Sequence, residues 1–240
     1  MTLIDTAFLV AAGKGTRMAP LTDSIPKPFV KIGDKAILDY IFEHLVKTDV
    51  KNIVVNTHHH ADLMRSYITS RAGFSITESY EPDLLETGGG LKKALPLLGV
   101  NPIFMINGDA FWTDGPSGSI LQQLAQHFNP VTMDILLLLI PVQNMVLTEG
   151  VGDYDMLANR LLSRNHAKQG THMFTGIRIL SPSIMENIPE GKFSFLQQMD
   201  TAQNAGRLYG LVHDGEWHHI STPVDVNTIN AQQQQRKNIS

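Results

Sequence analysis

Short apolar runs alternate with amphipathic helical patterns through the first 140 residues, and this alternation constrains the fold more than any other feature. The apolar runs predict buried strands at residues 8–10, 52–57, 74–78, 102–106 and 133–140. Between them, apolar residues recur three and four positions apart, which predicts helices over 36–47, 61–71, 91–97 and 119–128. Strands that alternate with helices in this way form βαβ units around a mostly parallel sheet. We therefore predict an α/β fold whose strands are buried on both faces.

The first predicted strand runs into a loop that combines small residues with cations. Residues 11–15 read Ala-Ala-Gly-Lys-Gly, so a ligand can approach the backbone closely, and glycine tolerates the positive φ that turns neighbouring N–H groups toward one point. Lys14 and Arg17 add positive charge, and Lys27 lies between two prolines that stiffen its backbone. Backbone donors and three cations predict a polyphosphate site, although a glycine-rich turn after a strand is also compatible with a plain turn.

A second motif, Asn107-Gly108-Asp109, follows the fourth predicted strand. Ligands of open parallel sheets bind beyond the carboxyl ends of the strands, so this carboxylate is expected at the same sheet edge as the glycine loop. Asp109 suits Mg²⁺, which takes hard oxygen ligands and often uses one or two carboxylates together with phosphate oxygens. The same tripeptide is equally typical of a simple turn, and the residues alone leave both interpretations open.

A third motif, Glu86-Thr87-Gly88-Gly89-Gly90, stands just before the predicted helix over 91–97. Three glycines bring backbone groups within close range of a ligand, and the N-terminus of a helix favours anions. The motif therefore predicts a second anion-binding segment, with a flexible loop tip as the alternative.

Composition and charge narrow the possible functions. The 240 residues are 42% hydrophobic and 18% charged, which suits a globular protein with a sizeable core. A net charge of −4 gives no basic field that would attract nucleic acid. The chain lacks cysteine, its first residues do not read as a cleavable leader, and its longest apolar run, 135–140, is too short to span a bilayer. We expect a cytoplasmic protein that binds neither nucleic acid nor membranes.

The motifs together resemble the sugar-1-phosphate nucleotidyltransferases, which join a nucleoside triphosphate to a sugar 1-phosphate and release pyrophosphate. The resemblance rests on residues 9–18, Leu-Val-Ala-Ala-Gly-Lys-Gly-Thr-Arg-Met, and on Pro26-Lys27-Pro28 downstream. It implies a three-layer α/β/α fold of the nucleotide-diphospho-sugar transferase kind, with a mostly parallel mixed sheet. It also implies nucleoside triphosphate and sugar 1-phosphate as binding partners, and a monomer or small homo-oligomer.

The resemblance also implies a role for each motif. The catalytic residues would be Arg17 on the triphosphate, Lys27 at the reacting phosphates and Asp109 as a ligand of a Mg²⁺ cofactor. The implied nucleotide contacts are Ala11, Ala12, Gly13, Lys14, Gly15, Thr16, Arg17, Glu86, Thr87 and Gly88. The implied contacts to the sugar phosphate are Lys27, Asn107, Gly152, Asp153, Thr175 and Gly176.

The glycine run over 86–90 points to one branch of this family. Most relatives carry Gly-Thr-Ala there, whereas Glu-Thr-Gly-Gly-Gly followed by residues 92–99 resembles the branch that acts on N-acetylmuramic acid 1-phosphate in bacterial cell-wall recycling. We therefore expect UTP and that sugar phosphate as substrates. The alternatives are a guanylyltransferase that uses mannose 1-phosphate, and a non-catalytic protein that binds nucleotides or nucleotide sugars.

One position departs from the family pattern. The family carries Trp-x-Asp-x-Gly-Thr near the C-terminus, where the Asp is the second metal ligand, but here His219 stands at the Asp position and Ser221 at the Gly position. Imidazole suits softer metals than Mg²⁺. We therefore expect Mg²⁺ to be held by Asp109, phosphate oxygens and water, with weakened affinity, and with His219 as a doubtful ligand. Asp114 and Asp225 are candidate substitutes.

The second half of the chain is less regular than the first. It predicts a hairpin at 156–162, strands over 171–180 and 208–212, and helices over 193–205 and 223–233. Gly176 interrupts the strand over 171–180, so it marks either a sugar contact or a β-bulge. Because no linker or repeat is evident, we predict a single nucleotidyltransferase domain over 1–240. In it, residues 1–140 form the nucleotide-binding half, 141–230 the sugar-binding half and 231–240 a polar tail.

Overall fold

The computed structural model describes residues 4–145 and 151–237, and within them helices pack against one large sheet. The strands are β1 (Thr6–Val10), β2 (Lys31–Ile32), β3 (Lys35–Ala36), β4 (Asn52–Thr57), β5 (Ser75–Tyr80), β6 (Ile103–Asn107), β7 (Phe111–Thr113), β8 (Ile135–Pro141), β9 (Tyr154–Met156), β10 (Leu162–Arg164), β11 (His172–Leu180), β12 (Leu208–Val212) and β13 (Glu216–His218). The helices are α1 (Ile37–Leu45), α2 (Ala61–Thr69), α3 (Glu86–Leu98), α4 (Ile120–His127), α5 (Leu196–Asn204) and α6 (Pro223–Lys237).

The large sheet mixes parallel and antiparallel pairs. Its central path runs β5-β4-β1-β6-β11-β8-β12, and the β9–β10 hairpin joins the beginning of β11. Strands β5, β4, β1 and β6 are parallel, and so are β8 and β12. Only β11 runs antiparallel to its two central neighbours, β6 and β8. The predicted mostly parallel mixed sheet is therefore confirmed.

Two hydrophobic clusters cover the two faces of the sheet. In β1, Ala7 and Leu9 belong to the cluster that contains residues of α1, α2, α4 and α6, whereas Phe8 belongs to the cluster with α3 and α5. Side chains of a strand alternate between faces, so a strand covered on both sides must be apolar at every position. This explains the continuous apolar runs of the sequence and confirms the three-layer α/β/α arrangement.

The carboxyl ends of the parallel strands bring the first two motifs together. Val10 ends β1 and is the register partner of Asn107, which ends β6. The glycine loop follows Val10, and Asp109 lies two residues beyond Asn107, with the Gly108 N–H donating to Val10 O at 2.8 Å. Both motifs lie at the same sheet edge, as the alternation of strands and helices predicted.

The third motif differs from the prediction. Helix α3 begins at Glu86, not at residue 91, so the three glycines belong to its first turns. Two of their N–H groups have an acceptor outside the helix, because Gly88 N and Gly89 N both donate to Phe193 O, at 2.9 and 3.1 Å. A tertiary contact therefore overrides the tendency of glycine to end a helix.

Other differences concern short or polar segments. The small sheets β2–β3 and β7–β13 were not predicted, because two- and three-residue strands are too short to show a period. Helix α6 continues through Lys237, into the expected polar tail, where Arg236 forms a bidentate ion pair with Glu216. Residues 238–240 lie outside the described residues.

None of the helices within 4–145 and 151–237 has the length and apolar character that a membrane crossing needs.

Candidate active site

Three cavities adjoin along the carboxyl edge of the sheet. The loop cavity, about 180 Å³, is lined by Val10, Ala11, Gly13, Gly15, Lys27, Pro28, Thr87, Asn107, Gly108 and Asp109. The ion-pair cavity, about 210 Å³, is lined by Arg17, Lys27, Asn107, Asp109, Ala110, Met173, Phe174, Thr175, Gly176, Trp217, His219 and Ile220. The arginine cavity, about 200 Å³, is lined by Thr87, Asn107, Asp153, Tyr154, Arg164, Lys168, Phe174, Arg178, Ser194, Phe195, Leu196 and Met199. Asn107 lines all three cavities, so they adjoin around this residue, and together they are called the cleft.

The glycine loop is held in place by contacts on both sides of Gly15. Gly15 has φ of +64°, a left-handed conformation that favours glycine, and its carbonyl accepts the Thr22 hydroxyl at 2.9 Å. A Cβ at Gly15 would lie 3.2 Å from Lys27 Cβ, so the loop packs directly on the lysine that follows it. Gly13 has no atom within 4 Å of its Cβ position and is open to the loop cavity. The loop is therefore fixed at its base and open where a ligand would approach.

A buried polar chain links the loop to helix α3. The Ala11 N–H donates to Asn56 Oδ1 at 2.6 Å, and Asn56 Nδ2 donates to Glu81 Oε1 at 2.7 Å. The second oxygen of Glu81 accepts the Leu85 N–H at 3.0 Å. Asn56 and Glu81 are 1% and 0% exposed, so water cannot replace these hydrogen bonds and each polar group depends on its partner in the protein. Sequence reasoning missed both residues; the available signal was an asparagine inside the apolar strand 52–57.

Lys27 and Asp109 form the ion pair at the centre of the cleft. Lys27 Nζ donates to Asp109 Oδ2 at 2.6 Å, and the side chains are 14% and 37% exposed. A short 3₁₀ turn, Lys27–Phe29, positions the lysine, and the turn after β6 positions the carboxylate. Because one Asp109 oxygen is engaged by Lys27, the other is the oxygen that can meet a cation.

His219 lies beside this ion pair. It is half-buried and lines the ion-pair cavity with Arg17, Lys27 and Asp109. Burial lowers the pKa of His219; the Asp109 carboxylate opposes this shift, while the Lys27 and Arg17 charges add to it. The imidazole is therefore neutral at pH 7 and does not repel a cation.

Within the described parts of the chain, no group of three or more His, Asp or Glu residues is arranged to hold a metal ion. Asp109 thus fits a metal that takes its remaining ligands from phosphate and water.

Neither candidate substitute for the missing carboxylate lines the ion-pair cavity. One Asp225 oxygen accepts from the backbone and hydroxyl groups of both Ser221 and Thr222, at 2.8 to 3.2 Å. This set of hydrogen bonds fixes the start of α6 and commits the carboxylate there. Asp114 pairs with Lys47 at 2.8 Å and does not line the cleft. Neither Asp114 nor Asp225 lines any of the three cavities, and their role as substitute ligands stays a prediction.

Gly176 lies where β11 passes over Asn107. Its φ is +83°, and the pairing of β11 with β8 shifts register between Phe174 and Arg178, so Gly176 sits in a bulge. A Cβ there would lie 2.9 Å from Asn107 Nδ2. The β-bulge therefore brings the backbone of Gly176 close to Asn107 in the cleft. The neighbouring Thr175 also lines the ion-pair cavity, although its hydroxyl donates to Leu138 O at 2.9 Å and thus points away.

The cleft brings together most of the residues predicted for the site. Those that line it are Ala11, Gly13, Gly15, Arg17, Lys27, Thr87, Asn107, Asp109, Asp153, Thr175, Gly176 and His219. Those that line none of the three cavities are Ala12, Lys14, Thr16, Glu86, Gly88 and Gly152. Gly88 is buried and packs against Phe193, and its predicted contact with a nucleotide stays a prediction. Lys14 and Thr16 are exposed beside the loop, and their ligand contacts stay predictions.

The arginine cavity contains a residue that sequence reasoning also missed. Arg178 is 2% exposed, and its guanidinium lies 5.3 Å from the Phe174 ring centroid and 4.9 Å from that of Phe195. Burial lowers the pKa of Arg178 to about 9, so the side chain stays charged at neutral pH. The available signal was an arginine inside the apolar strand 171–180.

Comparison with known proteins agrees with this geometry. Residues 6–147 match the family model for nucleotidyl transferases. The N-acetylmuramate alpha-1-phosphate uridylyltransferase of Caulobacter vibrioides is 33% identical over 90% of this chain and 92% of that protein. The mannose-1-phosphate guanylyltransferase catalytic subunit beta of Danio rerio is 28% identical over 92% of this chain and 62% of that protein. A solved UDP-glucose pyrophosphorylase complexed with UDP-glucose has a TM-score of 0.81 at 17% identity, covering 98% of this chain and 100% of that one. The chain therefore belongs to the sugar-1-phosphate nucleotidyltransferase family.

Proposed function

We propose that the protein transfers the uridylyl group of UTP to N-acetylmuramic acid 1-phosphate and releases pyrophosphate. The observation that carries the proposal is the arrangement of the cleft, whose loop cavity and arginine cavity meet at Asn107. One end suits a polyphosphate and the other end suits a sugar. The choice of nucleotide and sugar is supported by similarity to the Caulobacter vibrioides uridylyltransferase over nearly the full length of both chains.

In this reaction a phosphate oxygen of the sugar phosphate bonds to the α-phosphorus of UTP in line with the leaving group. The bond from the α-phosphorus to the bridging oxygen breaks, and pyrophosphate leaves with that electron pair. The attacking phosphate is already anionic at neutral pH, so no general base is required. The protein must position two anions and offset their repulsion.

The residues of the cleft would divide this task. The open backbone at Gly13 and the exposed Arg17 would hold the β- and γ-phosphates. Lys27, which lines both the loop cavity and the ion-pair cavity, would meet the phosphates at the reacting centre. A substrate phosphate would replace Asp109 as the anion next to Lys27 Nζ, so the lysine charge would stay paired with a negative charge during the reaction.

A divalent metal ion is general in this family, and we propose Mg²⁺ here. Asp109 would hold it, with phosphate oxygens and water as the other ligands, and the neutral His219 would stand beside it. When bound, the ion supplies positive charge that offsets the charge at the α-phosphate. Its affinity would be lower than in relatives with two carboxylates, because imidazole is a poor ligand for Mg²⁺.

The product would serve cell-wall recycling in the cytoplasm, because N-acetylmuramic acid is a sugar of the bacterial cell wall. A guanylyltransferase that uses mannose 1-phosphate is the second candidate, supported by similarity to the Danio rerio protein. The two candidates share the loop, Lys27 and Asp109 and differ in the base and sugar, so substrate choice separates them.

A pyrophosphate-release screen tests the proposal. Each common nucleoside triphosphate is combined with N-acetylmuramic acid 1-phosphate, N-acetylglucosamine 1-phosphate, glucose 1-phosphate and mannose 1-phosphate, with Mg²⁺. We expect UTP with N-acetylmuramic acid 1-phosphate to give the highest kcat/KM, and Lys27→Ala to abolish it. Higher turnover of GTP with mannose 1-phosphate would overturn the substrate assignment. No release with any pair would favour a non-catalytic binder.

A further inference from the structure

A buried arginine at the inner end of the cleft is not used by the mechanism above. Arg178 lies in the middle of β11, in register with Met105 of β6 and Leu137 of β8. Its side chain is 2% exposed and lies over the rings of Phe174 and Phe195. Nothing about its backbone position requires an arginine, since Leu180, two residues along the same face of β11, is part of the hydrophobic core.

Arg178 has no counter-ion among the residues that the structure describes. Within residues 4–145 and 151–237, no carboxylate forms an ion pair with it, and its buried Nε finds no hydrogen-bond acceptor. The other two cations of the arginine cavity are paired, Arg164 with Asp200 at 2.7 Å and Lys168 with Asp153 at 2.5 Å. A guanidinium carries five donors and is costly to bury unpaired. The unpaired charge of the Arg178 guanidinium therefore indicates a binding site for an anionic ligand.

The cavity around Arg178 provides a second unused donor. The Tyr154 hydroxyl is buried without a hydrogen-bond partner and lines the same cavity. Burial raises the pKa of Tyr154, so this hydroxyl keeps its proton at neutral pH. A fork of N–H donors with a neighbouring O–H donor suits a carboxylate, which accepts hydrogen bonds through two oxygens. The aromatic walls formed by Phe174 and Phe195 exclude water and strengthen such a pair.

We propose that Arg178 binds a carboxylate carried by the sugar, with Tyr154 as a second donor, and thereby selects an acidic sugar 1-phosphate over neutral ones. The inference rests on the proposed function, because the arginine cavity continues from the cavities that would hold the reacting phosphates. N-acetylmuramic acid carries such a carboxylate on its lactyl ether, whereas N-acetylglucosamine is the same ring without it. A neutral sugar would leave the guanidinium buried and unpaired, which is a strong basis for discrimination.

The test compares these two sugar phosphates with UTP in the parent protein, Arg178→Met, Arg178→Lys and Tyr154→Phe. Arg178→Met should lower the ratio of kcat/KM for the acidic sugar over the neutral sugar by about 100-fold, the size expected for loss of a buried charged hydrogen bond. Arg178→Lys should recover part of that ratio, because it keeps the charge but not the fork. Arg65→Met, which removes an exposed arginine of α2 outside the cleft, is the control and should leave the ratio unchanged.

Two further measurements keep the proposal falsifiable if Arg178→Met does not fold. The parent protein should discriminate about 100-fold against N-acetylmuramic acid 1-phosphate whose lactyl carboxylate is converted to an amide, because the amide brings no charge to Arg178. Calorimetry with free N-acetylmuramic acid, which has no phosphate, should show binding to the parent and clearly weaker binding to Arg178→Lys, which keeps the charge but loses the fork of donors.

The outcomes separate this proposal from the proposed function. Equal losses for both sugars in Arg178→Met, or equal turnover of acid and amide by the parent, would overturn the role of Arg178 and leave the uridylyltransferase assignment intact. Binding of the free acidic sugar that depends on Arg178, without turnover of its phosphate, would support the carboxylate site and refute the substrate assignment.

Discussion

Replacing Gly90 by alanine should destabilise the fold through the buried chain that supports the glycine loop. A Cβ at Gly90 would lie 2.5 Å from Glu81 Oε1 and 2.7 Å from Asn56 Nδ2. Glu81 cannot retreat freely, because its other oxygen accepts the Leu85 N–H. The methyl group must therefore separate Asn56 from Glu81, or push both away from the loop.

The cost follows from three contributions. Overpacking a buried site costs about 1–3 kcal/mol, and loss of a buried hydrogen bond to a charged group costs about 1.5–3 kcal/mol. Alanine has a better helix propensity than glycine, which offsets about 1 kcal/mol. We expect the free energy of unfolding to fall by about 1.5–5 kcal/mol, which lowers Tm by about 3–20 °C for a domain of this size.

Gly13→Ala is the matched control, since no atom lies within 4 Å of its Cβ position and the residue lines the loop cavity. It should keep the parent Tm and weaken UTP binding, measured by calorimetry, whereas Gly90→Ala should unfold at a lower temperature than the parent. A Gly90→Ala protein that melts with the parent would refute the packing argument. A normal Tm with lost UTP affinity would instead mean that the glycine run faces the nucleotide.

Three further results are expected. Arg17→Ala should lower kcat/KM for the triphosphate about 100-fold or more without changing Tm, because this exposed side chain loses only a phosphate contact; near-normal kinetics would contradict the assignment. His219→Asp should shift the Mg²⁺ dependence of turnover to lower concentration, and an unchanged titration would mean that this position does not contact the metal. Burial raises the pKa of Asp39, but hydrogen bonds from Tyr67 and the Ala36 backbone and the charge of Arg71 outweigh it, so the pKa lies below its usual value. The stability that Asp39 contributes is therefore present at neutral pH and lost as the pH falls through the folded-state pKa. Asp39→Asn should lower Tm at pH 7, and its Tm should fall less than that of the parent when the pH is lowered further. Equal falls of Tm in acid for the variant and the parent would refute this.

The fold was predictable where its signals are local. The apolar runs that became β1, β4, β6 and β8 and the helical spacing of α1 and α4 could be recognised within about ten residues of sequence. The start of α3 could not, because its glycines are kept helical by the carbonyl of Phe193, a hundred residues downstream. The antiparallel insertion of β11 between β6 and β8 also depends on contacts that no local pattern contains.

The residues of the candidate site likewise include some with a local sequence signal and some without one. Gly15, Lys27 and Asp109 belong to motifs whose order carries information, so they could be proposed from the sequence, and all three line the loop cavity. Asn56 and Arg178 are single polar residues in apolar strands, and a single residue has no spacing that predicts a role. Only the folded structure brings Asn56 beneath the loop and Arg178 to the inner end of the cleft.

The order of strands around β8 has a consequence for how the protein is made. Both strands that pair with β8, namely β11 and β12, follow it in the chain, so neither edge of Ile135–Pro141 can be paired when it leaves the ribosome. At about 5–20 residues per second, the seven residues of this strand wait for several seconds before residues 172–180 and 208–212 arrive. Such an apolar segment can pair with another nascent chain or recruit a chaperone during that interval. A substitution that slows the docking of β11 can therefore lower the yield of folded enzyme while leaving the finished molecule equally stable and equally active.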